Sequence, residues 1–122
     1  MYRVPRVAGV ALAIGLAGCA LVQLVPSDGS YDGELCVSTG NGAPNCGAAE
    51  VSLSKGIARV QVSDMVYHLM LLESGRMDLI LMHGAVHVDD FSATYTWEDS
   101  FLRFVDADRR VRYRIRFANP AP

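Results

Sequence analysis

Arginine recurs at every second position from Arg110 through Arg112 and Arg114 to Arg116, and the residues that alternate with it, Val111, Tyr113, Ile115 and Phe117, are all apolar. In a β-strand this alternation sends the guanidinium groups to one face and the apolar side chains to the other; a helix would scatter both sets. Arg103 lies on a neighbouring candidate strand. A row of guanidinium groups binds phosphate, carboxylate or an acidic protein surface through paired hydrogen bonds, so Arg103, Arg110, Arg112, Arg114 and Arg116 are the candidate partner-binding residues. The plainer reading is a solvated strand face that protects an edge, with Glu98, Asp106 or Asp108 balancing the charge.

Other residues carry weaker chemistry. His83, His87 and Asp89 would share one strand face, and imidazole with carboxylate suits zinc or manganese, but Gly84 interrupts the run and only His68 could add a third imidazole. No metal and no other cofactor is expected. Ser38, Ser52, Ser63, Ser74 and Ser92 stand in no nucleophile-elbow pattern, and the acidic pairs Asp89-Asp90 and Glu98-Asp99 read as turns, so no catalytic residue is nominated and the chain is not expected to be an enzyme. Tyr95, Trp97, Phe104 and Tyr113 either line a pocket or fill the interior of a barrel, and filling is favoured. Met65, Met70, Met77 and Met82 among leucines are read as adaptable core.

The elements that would hold these residues are strands. From Tyr31 onward apolar residues recur with period two and turn residues punctuate the chain, which predicts strands over 31–38, 48–53, 57–62, 66–73, 77–82, 86–97 (with a break), 101–105 and 111–117. The connections, such as Ser54-Lys55-Gly56 and Glu73-Ser74-Gly75-Arg76, are short enough to force antiparallel neighbours. The expected fold is therefore all-β: a small antiparallel meander of about eight strands with one disulfide, closing as an up-and-down barrel or a rolled sandwich.

The N-terminal fifth of the chain differs in kind. Arg3 and Arg6 precede an uninterrupted apolar or small run from Val7 to Leu16, followed by Leu16-Ala17-Gly18-Cys19. These features resemble the bacterial lipoprotein precursors, whose lipobox is matched at all four positions. The resemblance implies a signal peptide over 1–18, cleavage before Cys19, and a covalent diacylglycerol on that cysteine as the only attached group. It also accounts for the odd count of three cysteines, because Cys36 and Cys46 then pair with each other in an oxidising compartment. Ala20 rather than Asp after the cysteine implies an outer-membrane, periplasm-facing position, residues 19–29 a lipidated tether, and 30–122 the β domain. The competing reading keeps 7–25 as an uncleaved anchor helix.

The intact chain has a formal net charge of -2; loss of 1–18 would leave 9 basic against 13 acidic residues, a balance that argues against nucleic acid as a partner. Membrane contact through lipid and a protein partner in the envelope are expected instead. The first expectation is a non-enzymatic binding or inhibitory module, because small periplasmic β-barrel lipoproteins of similar layout include inhibitors of lysozyme, a cell-wall hydrolase. Those inhibitors carry a Ser-Gly-x-x-Tyr loop; here Ser74-Gly75-Arg76-Met77 is followed by Asp78 in place of Tyr. A structural role in an outer-membrane complex and a carrier of a small apolar ligand are the alternatives. If Cys19 bears the lipid, Cys19→Ala moves the protein from the membrane to the soluble fraction, as read by fractionation with and without detergent. Persistent detergent dependence would identify 7–25 as a retained anchor.

Overall fold

A computed structural model describes residues 25–120 and places eight antiparallel strands in one closed barrel. The expected signal peptide, the lipobox-like Leu16-Ala17-Gly18-Cys19 and the first residues of the expected tether lie outside the described residues, as does nearly all of the alternative anchor span. The strands are β1 (Gly29–Thr39), β2 (Asn45–Ser54), β3 (Ile57–Val62), β4 (Met65–Leu71), β5 (Arg76–His83), β6 (Val86–Glu98), β7 (Phe101–Asp106) and β8 (Val111–Pro120). Each pairs with its sequence neighbour, and β8 returns to pair with β1 from Thr39↔Val111 to Tyr31↔Pro120. The barrel, not the sandwich, is thus the architecture, and β6 runs unbroken where the sequence pattern suggests a break. β1 begins at Gly29.

Closure sorts the alternating residues. Leu69, Met77, Leu79, Leu102 and Ile115 are buried almost completely inside, with Val51 and Val60 beside them. Trp97 and Tyr31 pack edge-on against Phe117 at 5.1 and 5.6 Å between ring centres, near the end where the chain enters β1. Burying such a side chain contributes about 1.5–3 kcal/mol each, so the interior dominates stability. Of the four methionines read as core, Met77 is fully buried, but Met70 is 43% exposed. Met70 and Met82 sit one step out of phase with the inward Leu69 and Leu81, and the strict two-residue period turns them outward.

Cys36 and Cys46 face each other across β1 and β2 and are bonded, with 4.0 Å between their Cα atoms. The bond closes the hairpin around 40–44. By chain-entropy arithmetic a loop of this length contributes about 3 kcal/mol. At Gly33 the β1–β8 register shifts by one residue, and a Cβ there would lie 2.7 Å from Val51 Cγ2 and collide with the backbone oxygen of Arg116. Neither obstacle is the free end of a flexible side chain. Gly33→Ala is therefore expected to destabilise the barrel by about 1–3 kcal/mol, measured as a lower urea midpoint followed by Trp97 fluorescence. An unchanged midpoint would show that β1 and β8 do not approach this closely.

Candidate functional site

The arginine face forms where β7, β8 and β1 run side by side. Arg114 stands opposite Arg103 on β7 and Cys36 on β1; Arg112 stands opposite Val105 and Ser38; Arg116 stands opposite Phe101 and Glu34. Like charges directly opposite each other are unfavourable, and the face disperses them individually. Arg103 Nη1 donates to Glu98 Oε1 at 2.8 Å, and the Arg114 guanidinium lies over the Phe101 ring, 4.8 Å from its centre. Arg112 reaches the Gly42 carbonyl at 3.4 Å, a long contact that leaves most of its donors to solvent. Among the described residues Arg112, Arg114 and Arg116 make no ion pair within 4 Å.

Between these side chains the outer wall is hollowed into a groove of about 420 Å³, bordered by Arg103, Arg112 and Arg114, with Ser38, Thr94 and Thr96 supplying hydroxyls. A second hollow of about 330 Å³ shares Arg112 and Val105 with the first and adds Arg110, Gly40 and Asn41. Arg103, Arg112 and Arg114 border the first hollow, Arg110 and Arg112 the adjoining second, and Arg116 lines neither. Arg110 joins differently from expectation. It is the last residue of the β7–β8 turn, with φ of +58°, and it precedes β8 instead of continuing the ladder.

The groove exists because the wall parts there. β6 pairs with β7 only from Tyr95↔Phe104 to Glu98↔Phe101, whereas 86–94 of β6 is paired through β5. Arg109, in the β7–β8 turn, bridges the parting. Its guanidinium holds Asp89 on β6 with both terminal nitrogens, one at 3.1 Å, and Asp106 on β7 at 3.2 Å. Asp106 is buried, so this contact also provides its carboxylate with a counter-charge. The hydrogen bond and charge of Asp89 raise the Arg109 pKa above its ordinary value.

Asp89 is thus engaged by Arg109. The turn at Gly84 puts His83 at the end of β5 and His87 near the start of β6, and the register slips between Leu81↔Asp89 and Met82↔His87, so the three residues do not share one face. His87 lies 2.8 Å from Asp90, and His83 lies 3.9 Å from Asp64. Among the described residues, the potential ligand atoms that converge are those of Glu34, Cys36 and Cys46, and the two sulfurs are already bonded to each other.

Beneath the groove, Phe104 stacks on Tyr113 with 4.8 Å between ring centres, and Phe91 stacks on Tyr113 at 5.8 Å. Of the four aromatics named from the sequence, Trp97 and Phe104 are buried and Tyr95 and Tyr113 pack against the same core, while Tyr95, Phe104 and Tyr113 also line the groove. Sequence reasoning missed Phe91 and the Arg109 clasp; Phe91 shares the odd-numbered phase of Tyr95 and Trp97, a signal sufficient to find it. Compared with known proteins, the sequence matches no protein-family model and no curated protein.

Burial, reinforced by the negative charges of Tyr67 when ionised, Asp106 and Asp89, pushes the Tyr113 hydroxyl up to about 12, and burial raises Tyr67 as well. Both remain protonated near neutrality and act there as neutral groups, not as bases. The unfolded chain releases these protons earlier as pH rises, so stability is fully present below about pH 10 and declines toward about pH 12. Tyr113→Phe should remove much of that alkaline decline in urea midpoints. A decline as steep as in the parent would assign the effect to other groups.

Proposed function

We propose that this protein is a lipid-anchored, non-enzymatic binding module of the bacterial envelope, and that the arginine-bordered groove on β6, β7, β8 and β1 receives an acidic surface of a protein partner. The single observation that carries this reading is the groove itself: Arg112 and Arg114 sit beside a concavity of about 420 Å³ without an acidic partner among the described residues. Several guanidinium groups around one hollow favour carboxylates that arrive together, and hydroxyls from Ser38, Thr94 and Thr96 add neutral donors and acceptors. Contacts of this kind speed encounter and select the partner more than they add raw affinity, which suits a tethered protein that meets partners confined to the same surface.

Inhibition of a cell-wall hydrolase is the form of binding suggested by the layout, with the arginine groove in place of the loop seen in lysozyme inhibitors. Ser74 and Gly75 lie in the β4–β5 turn, at the end of the barrel where the chain enters β1, and Asp78 accepts a 2.6 Å hydrogen bond from Ser92 Oγ. The turn adjoins the β6 side of the groove, since the Gly75 and Leu72 carbonyls accept hydrogen bonds from the backbone amide and the hydroxyl of Tyr95, which lines it. A role in assembling an outer-membrane complex would use the same arginines.

In-envelope crosslinking followed by affinity purification and mass spectrometry tests the reading. Partners recovered with the parent protein should be lost with Arg112→Glu/Arg114→Glu, while thermal stability shifts by no more than about 0.5 kcal/mol, as expected of exposed positions. Recovery of the same partners by the double variant would exclude the groove as the partner site.

A further inference from the structure

The arginines form only the rim of the groove. Tyr95, Phe104 and Tyr113 line it too, although all three belong to the inward phase of their strands: each stands between two exposed neighbours, Thr94 and Thr96, Arg103 and Val105, or Arg112 and Arg114. Core aromatics reach an outer hollow because the wall is parted beside them. The hollow is therefore apolar at its base and cationic at its rim. The base is also preset: Phe104 is stacked on Tyr113, the Tyr95 hydroxyl donates to the Leu72 carbonyl at 2.9 Å, and the Cys36–Cys46 bond ties down the hairpin that brings Pro44 to the β1 side. A rigid apolar recess ringed by polar groups is the usual seat of a single bulky anchor side chain.

The backbone at the parting indicates what kind of molecule carries the anchor. Tyr95 turns its amide away from β7, to the Gly75 carbonyl at 2.9 Å, so the amides of Ser92 and Thr94 turn toward β7. The β6–β7 ladder stops at Tyr95↔Phe104, and among the described residues no strand pairs with Ser92 or Thr94 on that side. A free strand edge beside a recess suits an extended peptide, whose own amides and carbonyls continue the ladder; the acyl chain of a lipid would leave them unpaired. Charge sets the composition of that peptide. Arg112 and Arg114 make no ion pair among the described residues, whereas the acids near the parting are engaged: Asp89 and Asp106 by Arg109, Asp90 by His87, and Glu98 by Arg103.

We propose that the groove receives an extended segment of the partner in which a bulky apolar side chain is flanked by carboxylates, the apolar group entering the parting between β6 and β7 and the carboxylates meeting Arg112 and Arg114 at the rim. This rests on the reading of the groove as the partner site.

The test uses the full chain in phosphatidylcholine nanodiscs, with backbone amide shifts read by NMR as a synthetic acetyl-Asp-Glu-Phe-Glu-Asp-amide is added. The same peptide with alanine in place of phenylalanine keeps the charge and lacks the anchor. The phenylalanine peptide is expected to shift the Ser92 and Thr94 amides and to bind about tenfold more tightly than the alanine peptide. Thr94→Trp, at an exposed strand position that accommodates an aromatic, should fill the recess and remove that preference with the arginines intact. Arg112→Glu/Arg114→Glu should weaken both peptides. Equal binding of the two peptides, still lost with the arginine pair, would overturn the anchor and leave the acidic-partner groove standing. Binding indifferent to the arginine pair would overturn both. Absence of any shift at millimolar peptide would overturn the anchor, with the groove then judged by envelope crosslinking of the same double variant. Shifts produced by octanoate but not by the peptide would make the occupant a fatty acid and overturn the proposal.

Discussion

A sheet of eight short strands presents two raw edges unless its last strand returns to its first, and the pairing of β8 with β1 is the interaction on which every other feature depends. That pairing also sets the phase of both strands. A slip of one residue would carry Ile115 and Phe117 to solvent and drive Arg114 and Arg116 into a dry interior, where an unpaired guanidinium is far too costly to be held. The arginine face is therefore as much a guard on the register as a surface. Gly33, seated against the backbone of Arg116 at the one register shift in this seam, lets the two strands come together.

Closure is not equally tight all round. β6 outruns its pairing with β7, and the wall is held across the parting by Arg109, which reaches Asp89 and the buried Asp106 together. The groove occupies the fork between the paired and unpaired parts of these strands. Its position follows from strand stagger, and its charge follows from the phase of β8. On the far side the outward face of β3–β5 is mixed, with Ile57, Met70 and Ile80 standing among Arg59, His68 and Asp78.

Much of this is legible in residue alternation. Val111 to Phe117 announces a strand with a cationic face, 57–62 is bounded correctly by its pattern and the following turn, and the pairing of Cys36 with Cys46 follows once Cys19 is assigned elsewhere. Local pattern does not encode stagger, so the fork between β6 and β7, the groove and the Arg109 clasp are invisible in it. The grouping of His83, His87 and Asp89 fails because Gly84 reverses the chain and one extra residue, Val88, intrudes between paired positions in β6. Composition assigns Met70 and Met82 inward, although their parity against Leu69 and Leu81 points outward. The arginines that form one ladder in the sequence divide between a turn, which holds Arg110, and a strand.

Amide hydrogen exchange, resolved by residue, tests barrel closure most directly, since it needs no knowledge of any partner. In a closed barrel the hydrogen-bonded amides shared by β1 and β8 exchange as slowly as those shared by β1 and β2, while the β6 amides that face the fork among 90–94 exchange much faster. Rapid exchange along the β1–β8 seam, with protection elsewhere, would mean an open sheet whose arginine strand is a free edge, and would contradict the origin of the groove in strand stagger.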